Sequence, residues 1–299
     1  MAYDFGNYRR ESGYSEQSIT IQDHHINRFT GWCINQNITL ENITYNEVLQ
    51  FIDGERQRGI LNQSIINAIN AIRLYFDYLH SGGIIERNII NRIKIRRSAT
   101  KALPETLTPQ QLENVYQNFV TLPEWEHRNT RAKALHKRNV VLLGLLVYQG
   151  LTSGEIAKLE SSHINLMEGK IYIPATRKSN ARTLKLQANQ ILPIKNYMEE
   201  LHVTSYKLQK IAQNLYLFPT KKQSDMICNI IKQIKKLDHK INDSRQLRAS
   251  VIMNWLKTNN IRQVQYMAGH RSIRSTEQYR SQDLTDLSVQ LELFHPLRG

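Results

Sequence analysis

Residues 137–149, KRNVVLLGLLVYQ, constrain this 299-residue chain more than any other stretch. From Val140 to Val147 no side chain is polar, so a helix here is apolar on every face. A helix of that kind must be enclosed by other elements, and it is too short to cross a membrane. The enclosing elements are legible on both sides. Thr108 and Pro109 read as an N-cap and first helical residue. Gly150-Leu151 ends the apolar helix, and Glu155, Ile156 and Leu159 begin another. From Lys170 the pattern alternates through KIYIP and ATRKSNARTLKL, predicting a β-hairpin turning near Ser179-Asn180. Helices are predicted over 189–200 and 226–237, and two or three more over 242–282.

The first third reads differently. Residues 1–15 are polar and aperiodic, a flexible arm. Apolar spacing then predicts helices over Ser15–Asn35, Thr44–Gly59, Asn62–Gly82 and Asn88–Ile95, a compact helical domain over 16–97. Residues 98–105 read as a linker, and 106–299 as a second domain. That domain ends in a tail, 283–299, with Leu284, Leu287, Leu291 and Phe294 at helical spacing. The fold class expected is mainly α with a small β-sheet.

The net charge is +14, and it is unevenly placed. Residues 1–97 hold 11 Lys or Arg against 10 acids, leaving 29 against 16 in the remainder. Such an excess favours a polyanionic partner, nucleic acid in particular. One cluster, Arg87, Arg92, Lys94, Arg96, Arg97 and Lys101, marks the joint between the domains; it reads either as a hinge that neutralises duplex phosphates or as a charged flexible linker. The basic segments lack the apolar face of a membrane-surface helix, and no signal peptide precedes them, so a cytoplasmic location is expected. The two cysteines, Cys33 and Cys228, form no metal or disulfide pattern.

The chemistry is concentrated in residues 242–282, where seven Lys or Arg face two acids. Arg245 and Arg248 are three apart, Gly269 precedes His270, and Tyr279 follows that histidine by nine residues. Guanidinium groups fork onto phosphate oxygens. A histidine hydrogen-bonds phosphate or moves a proton. A tyrosine hydroxyl can attack phosphorus and form a covalent intermediate. Taken singly, these residues read as a surface arginine, a capping histidine and a buried structural tyrosine. Their order and spacing argue otherwise.

The set RQLR (245–248), AGH (268–270) and EQY (277–279) resembles the catalytic C-terminus of the tyrosine recombinases, the phage-integrase and Xer type. The resemblance implies a helical, SAM-like core-binding domain followed by an α+β catalytic domain, together a C-shaped clamp on double-stranded DNA. It implies Tyr279 as nucleophile, Arg248 and His270 as phosphate partners, and a catalytic lysine on the hairpin, for which Lys178 is the nearest candidate. No metal or small-molecule cofactor is implied. Other copies of the chain would assemble as a tetramer on DNA, joined through the tail. Two positions depart from the pattern. Thr152 stands where the first catalytic arginine follows Gly-Leu, and Arg245 where histidine is usual. Arg182 and Arg245 are the leading candidates to replace the missing arginine, ranked above Arg177, which is the register alternative to Lys178. Arg92, Lys94, Arg96, Arg97, Lys101, Arg177, Arg271 and Arg274 are the expected DNA contacts. A site-specific recombinase is the leading reading. A catalytically silent DNA-binding relative and a type IB topoisomerase-like nicking enzyme are the alternatives.

Overall fold

The computed structural model describes residues 4–96, 105–122, 130–207, 216–219 and 223–280. Arg97, Lys101, most of the expected linker and the tail with Leu284, Leu287, Leu291 and Phe294 lie outside these residues. The chain divides into two compact units, Met1–Lys101 and Ala102–Gly299. Among the described residues no helix is long and apolar enough to cross a membrane.

The first unit is helical: α1 (Phe5–Glu11), α2 (Glu16–Asn35), α3 (Tyr45–Gln57), α4 (Asn62–Ser81) and a 3-10 turn at Ile89–Arg92. Side-chain caps start α2 at Ser15 and α3 at Thr44, the latter with Glu47 in a reciprocal capping box. Helix α4 turns Ile65, Ile69, Ile72, Phe76 and Leu79 inward, against Phe29 and Cys33 of α2 and Val48, Phe51 and Ile52 of α3. Two expectations need correction. The arm is not loose throughout, because residues 5–11 form α1. Its stability comes from docking rather than periodicity. Phe5 packs its ring against Tyr75 and Tyr78 at 5.1 and 5.0 Å, and buried Arg9 pairs with Asp23 at 2.6 Å. The helix expected over Asn88–Ile95 is a single tight turn. Arg73 donates to the carbonyls of Ile90 and Ile93, satisfying them without a helix to follow.

The second unit encloses the apolar segment. Helix α5 (Pro109–Val120) leads to α6 (Thr130–Val147), on which α5, α8 (Ala188–Lys207), α9 (Gln223–Leu237) and α10 (Ser244–Thr258) all pack. Leu142, Leu143 and Leu145 have no exposed surface. Between α6 and α8 come the short helix α7 (Ser153–Ile156), a 3-10 turn and a three-stranded antiparallel sheet. Its strands are β1 (Ile164–Asn165), β2 (Lys170–Ile173) and β3 (Arg182–Lys185). The β2–β3 register ends at Ile173 opposite Arg182, so residues 174–181 form a wide connection rather than a tight turn at Ser179-Asn180. Helix α11 (Ile261–Ala268) follows α10, and residues 274–280 are helical. The fold is thus mainly α with one small sheet.

Truncating the enclosed helix should leave a cavity its packed neighbours cannot fill. Leu143→Ala is expected to lower the stability of the second unit by about 2–5 kcal/mol. Hydrogen exchange at the α6 amides of the full chain measures it, and unchanged protection would contradict the enclosure.

Candidate active site

The site is built where α6 stops. Gly150 takes a left-handed conformation (φ 58°), and a side chain there would press on Val251 of α10 at 3.2 Å. The chain then turns into α7, which is capped by Thr152. The Thr152 hydroxyl accepts from the Glu155 backbone N–H, and the Glu155 carboxylate accepts from the Thr152 N–H at 2.8 Å and its hydroxyl at 2.9 Å. This capping box fixes Glu155 with no exposed surface. Position 152 therefore acts as a helix cap, its hydroxyl turned onto its own helix.

Two arginines from elsewhere converge on that carboxylate. Arg182 of β3 donates to Glu155 Oε1 at 2.5 Å, and both side chains are fully buried. Arg248 of α10 stands 3.7 Å from Oε2. It also donates to the carbonyls of Gly150, at 2.5 Å, and Ala268, at 2.8 Å. Burial alone would raise the Glu155 carboxyl. The hydrogen bond and charge of Arg182 overrule it, with the Thr152 N–H and Arg248 adding to the effect, and bring it down to about 2.

The third wall is the turn after α11. Gly269 ends that helix in the left-handed region (φ 70°). Only glycine fits, because a Cβ would overlap the Arg182 guanidinium and lie 3.2 Å from the Asn180 carbonyl. The 174–181 loop is tied to this turn. Asn180 donates its N–H to the Gly269 carbonyl at 2.9 Å, Ser179 bridges His270, and Arg271 reaches the Thr176 carbonyl. His270 shares a hydrogen bond with the buried Thr276 hydroxyl at 2.9 Å. Burial first, then the charges of Arg248 and Arg182, push its imidazole down to about 4, so it is neutral at pH 7. Tyr279 lies parallel to the His270 ring, with centroids 6.0 Å apart and planes at 12°, and packs on the Ile252–Val264–Ala268 cluster. Burial raises its phenol, while Arg248 pulls the other way.

The fold therefore brings Arg182 and Arg248 onto Glu155, sets His270 where it feels all three charges, and stacks Tyr279 beside His270 within reach of the Arg248 charge. Arg245 is exposed and, among the described residues, takes no part in the Glu155 ion group. Arg177 and Lys178 are exposed on the 174–181 loop, where the Lys178 N–H bonds the Thr176 hydroxyl. Arg92, Lys94, Arg96, Arg271 and Arg274 are exposed as well. The sequence reading gave Thr276 no role, since a threonine among polar neighbours carries no signal of burial. For Arg182 a signal did exist. Strand alternation places it on the same buried face as Leu184.

Two groups, the partly buried His270 and the fully buried Glu155, set the acid limit of this site. The His270 imidazole binds a proton near its ordinary 6.5 in the unfolded chain but only near 4 in the fold, so stability falls as pH drops from 6.5 towards 4. Glu155, ordinarily 4.5 and here about 2, adds a further loss below 4.5. His270→Gln should therefore show a shallower decline between pH 6.5 and 4 and an unaltered one below. Urea unfolding across this range is the check, and parallel curves for the two proteins would contradict it.

Residues 105–285, more than half the chain, match the phage integrase family. A TnP I resolvase of Bacillus thuringiensis is 21% identical over 297 residues, covering 98% of this chain and 99% of that one. The tyrosine recombinase XerD of Halalkalibacterium halodurans is 25% identical over 273 residues, 85% of this chain and 83% of the other. Among solved structures, the Tn1549 transposon integrase in complex with transposon right end DNA superposes with a TM-score of 0.62, at 13% identity, over 97% of this chain and 98% of that one. At such identity the superposition speaks for the fold, and the family match carries the kinship. The chain belongs to the phage integrase family, the tyrosine recombinases.

Proposed function

We propose that this chain is a site-specific DNA recombinase that breaks and rejoins duplex DNA with Tyr279 as its nucleophile. One observation carries the reading: Arg248, His270 and Tyr279 come together from separate segments, with Arg248 held beside the buried Glu155 carboxylate, its charge felt by both His270 and Tyr279, and the two rings stacked. The Tyr279 oxygen attacks the scissile phosphorus. A bond forms between them, the bond from phosphorus to the 5′-oxygen breaks, and that oxygen leaves as a hydroxyl after taking a proton. The 3′-phosphotyrosyl link keeps the bond energy, and the 5′-hydroxyl of a second strand reverses the step.

Each group has a task its surroundings suit. The phenol is held protonated at neutral pH, so it loses its proton only as attack proceeds. His270 is neutral, and the ring nitrogen not engaged with Thr276 is the group that hydrogen-bonds phosphate or accepts that proton. Arg248, fixed on two carbonyls, presents its remaining N–H groups to the non-bridging oxygens. Lys178, on the exposed loop, is the proposed donor of a proton to the leaving oxygen. Arg92, Lys94, Arg96, Arg177, Arg271 and Arg274 would bind phosphates along the duplex, with Arg97 and Lys101 completing the cluster. The working form is a tetramer of this chain on DNA in the cytoplasm.

Tyr279→Phe removes one hydroxyl and no phosphate contact. It should abolish covalent trapping on a nicked suicide duplex while leaving affinity within about twofold. Trapping by the Phe variant would sink the nucleophile. Affinity should also fall steeply between about 50 and 200 mM salt, as counterion release from several phosphates requires. An affinity flat over that range would contradict the duplex contacts.

A further inference from the structure

Arg182 has a property that its ion pair leaves unexplained. The side chain has no exposed surface, and its Nη1 is engaged with Glu155, yet Nε and Nη2 find no acceptor among the described residues. Buried donors are nearly always satisfied, so two orphans on one guanidinium point to a missing acceptor. The local charge points the same way. Arg182 and Arg248 bring two positive charges and Glu155 one negative, while His270 and Tyr279 are neutral. One positive charge is left over in a buried site.

A phosphodiester fits both deficits, since it carries one negative charge and two non-bridging oxygens. Position 152 offers no second cation, because the Thr152 hydroxyl is turned onto Glu155. Arg245 is exposed on the outer side of α10. We propose that Arg182, approaching from strand β3, is the second guanidinium gripping the scissile phosphate, with Nε and Nη2 taking its oxygens while Nη1 stays on Glu155. The charge thus enters from the sheet rather than from the α6–α7 turn. The guanidinium is roofed by Gly269 and Asn180, which are joined by one backbone hydrogen bond. Entry of the phosphate requires this roof to part, which separates loop 174–181 from the turn carrying His270.

This assignment rests on the recombinase reading, and the test separates the two. The probe is a nicked suicide duplex whose site is selected from random-sequence DNA by affinity for the full chain. It is made with either a phosphodiester or a methylphosphonate at the scissile position, the latter lacking the negative charge. On the phosphodiester, Arg182→Ala should lose at least about 100-fold in single-turnover trapping. Half-site binding should fall far less than trapping, since one phosphate contact among several is lost, and Arg182→Lys should recover part of the trapping loss. On the methylphosphonate the Ala variant should come within about tenfold of wild type, because an uncharged phosphorus centre no longer needs the second cation. Equal losses on both substrates would make Arg182 a positioning residue only and overturn the proposal, as would no loss on either. If the Ala variant fails to fold, the charge-neutral pair Glu155→Gln with Arg182→Met takes its place in the same comparison. Wild-type protein that traps neither substrate overturns the recombinase reading itself, and this assignment with it.

Discussion

The Glu155 carboxylate, fully buried and charged, is the interaction on which the site depends. An isolated charge in such a place is far too costly to persist, so its partners are obligatory. It has them from three directions: its own helix cap at Thr152, Arg182 from β3, and Arg248 from α10. Arg248 in turn ties down the carbonyls of Gly150 and Ala268. One anion thereby binds together the end of α6, the start of α7, the sheet, α10 and the turn bearing His270. Apolar packing is not directional, whereas each of these bonds fixes one atom against another.

The apolar helix α6 plays a complementary part. By burying itself against α5, α8, α9 and α10 it fixes where its own last residue, and so Gly150, must lie. The buried amides of Gln149 and Gln190, bonded at 2.9 Å, and the bond from Gln149 to the Lys185 carbonyl fasten that end to α8 and β3. The core supplies stability and the ion group supplies direction.

The sequence disclosed the parts of this arrangement that depend on local pattern. Helix α6 was legible because nothing polar interrupts it, α4 because its isoleucines recur along one face, and the hairpin because its strands alternate. Kinship was legible from the order of Arg248, His270 and Tyr279. What stayed hidden depends on tertiary contact. Helix α1 exists because Phe5 and Arg9 find partners on α4 and α2, which no local pattern announces. Arg182 and Arg245 looked alike as sources of a second cation, since one sits on the hairpin and the other a helical turn from Arg248. The fold separates them by burying the first and exposing the second. Thr152 reads in sequence as a loss. In the structure it is a helix cap that holds Glu155 in place.

The claim that most needs testing is that Glu155 and Arg182 act as one unit. A double-mutant cycle in urea, using Glu155→Gln, Arg182→Met and the two together, measures this directly. Breaking a buried pair by removing one partner leaves an uncompensated charge and costs roughly 3–5 kcal/mol, whereas removing both avoids that penalty. The double variant should therefore be more stable than the sum of the single losses allows, and at least as stable as Arg182→Met alone. Losses that simply add would contradict the account.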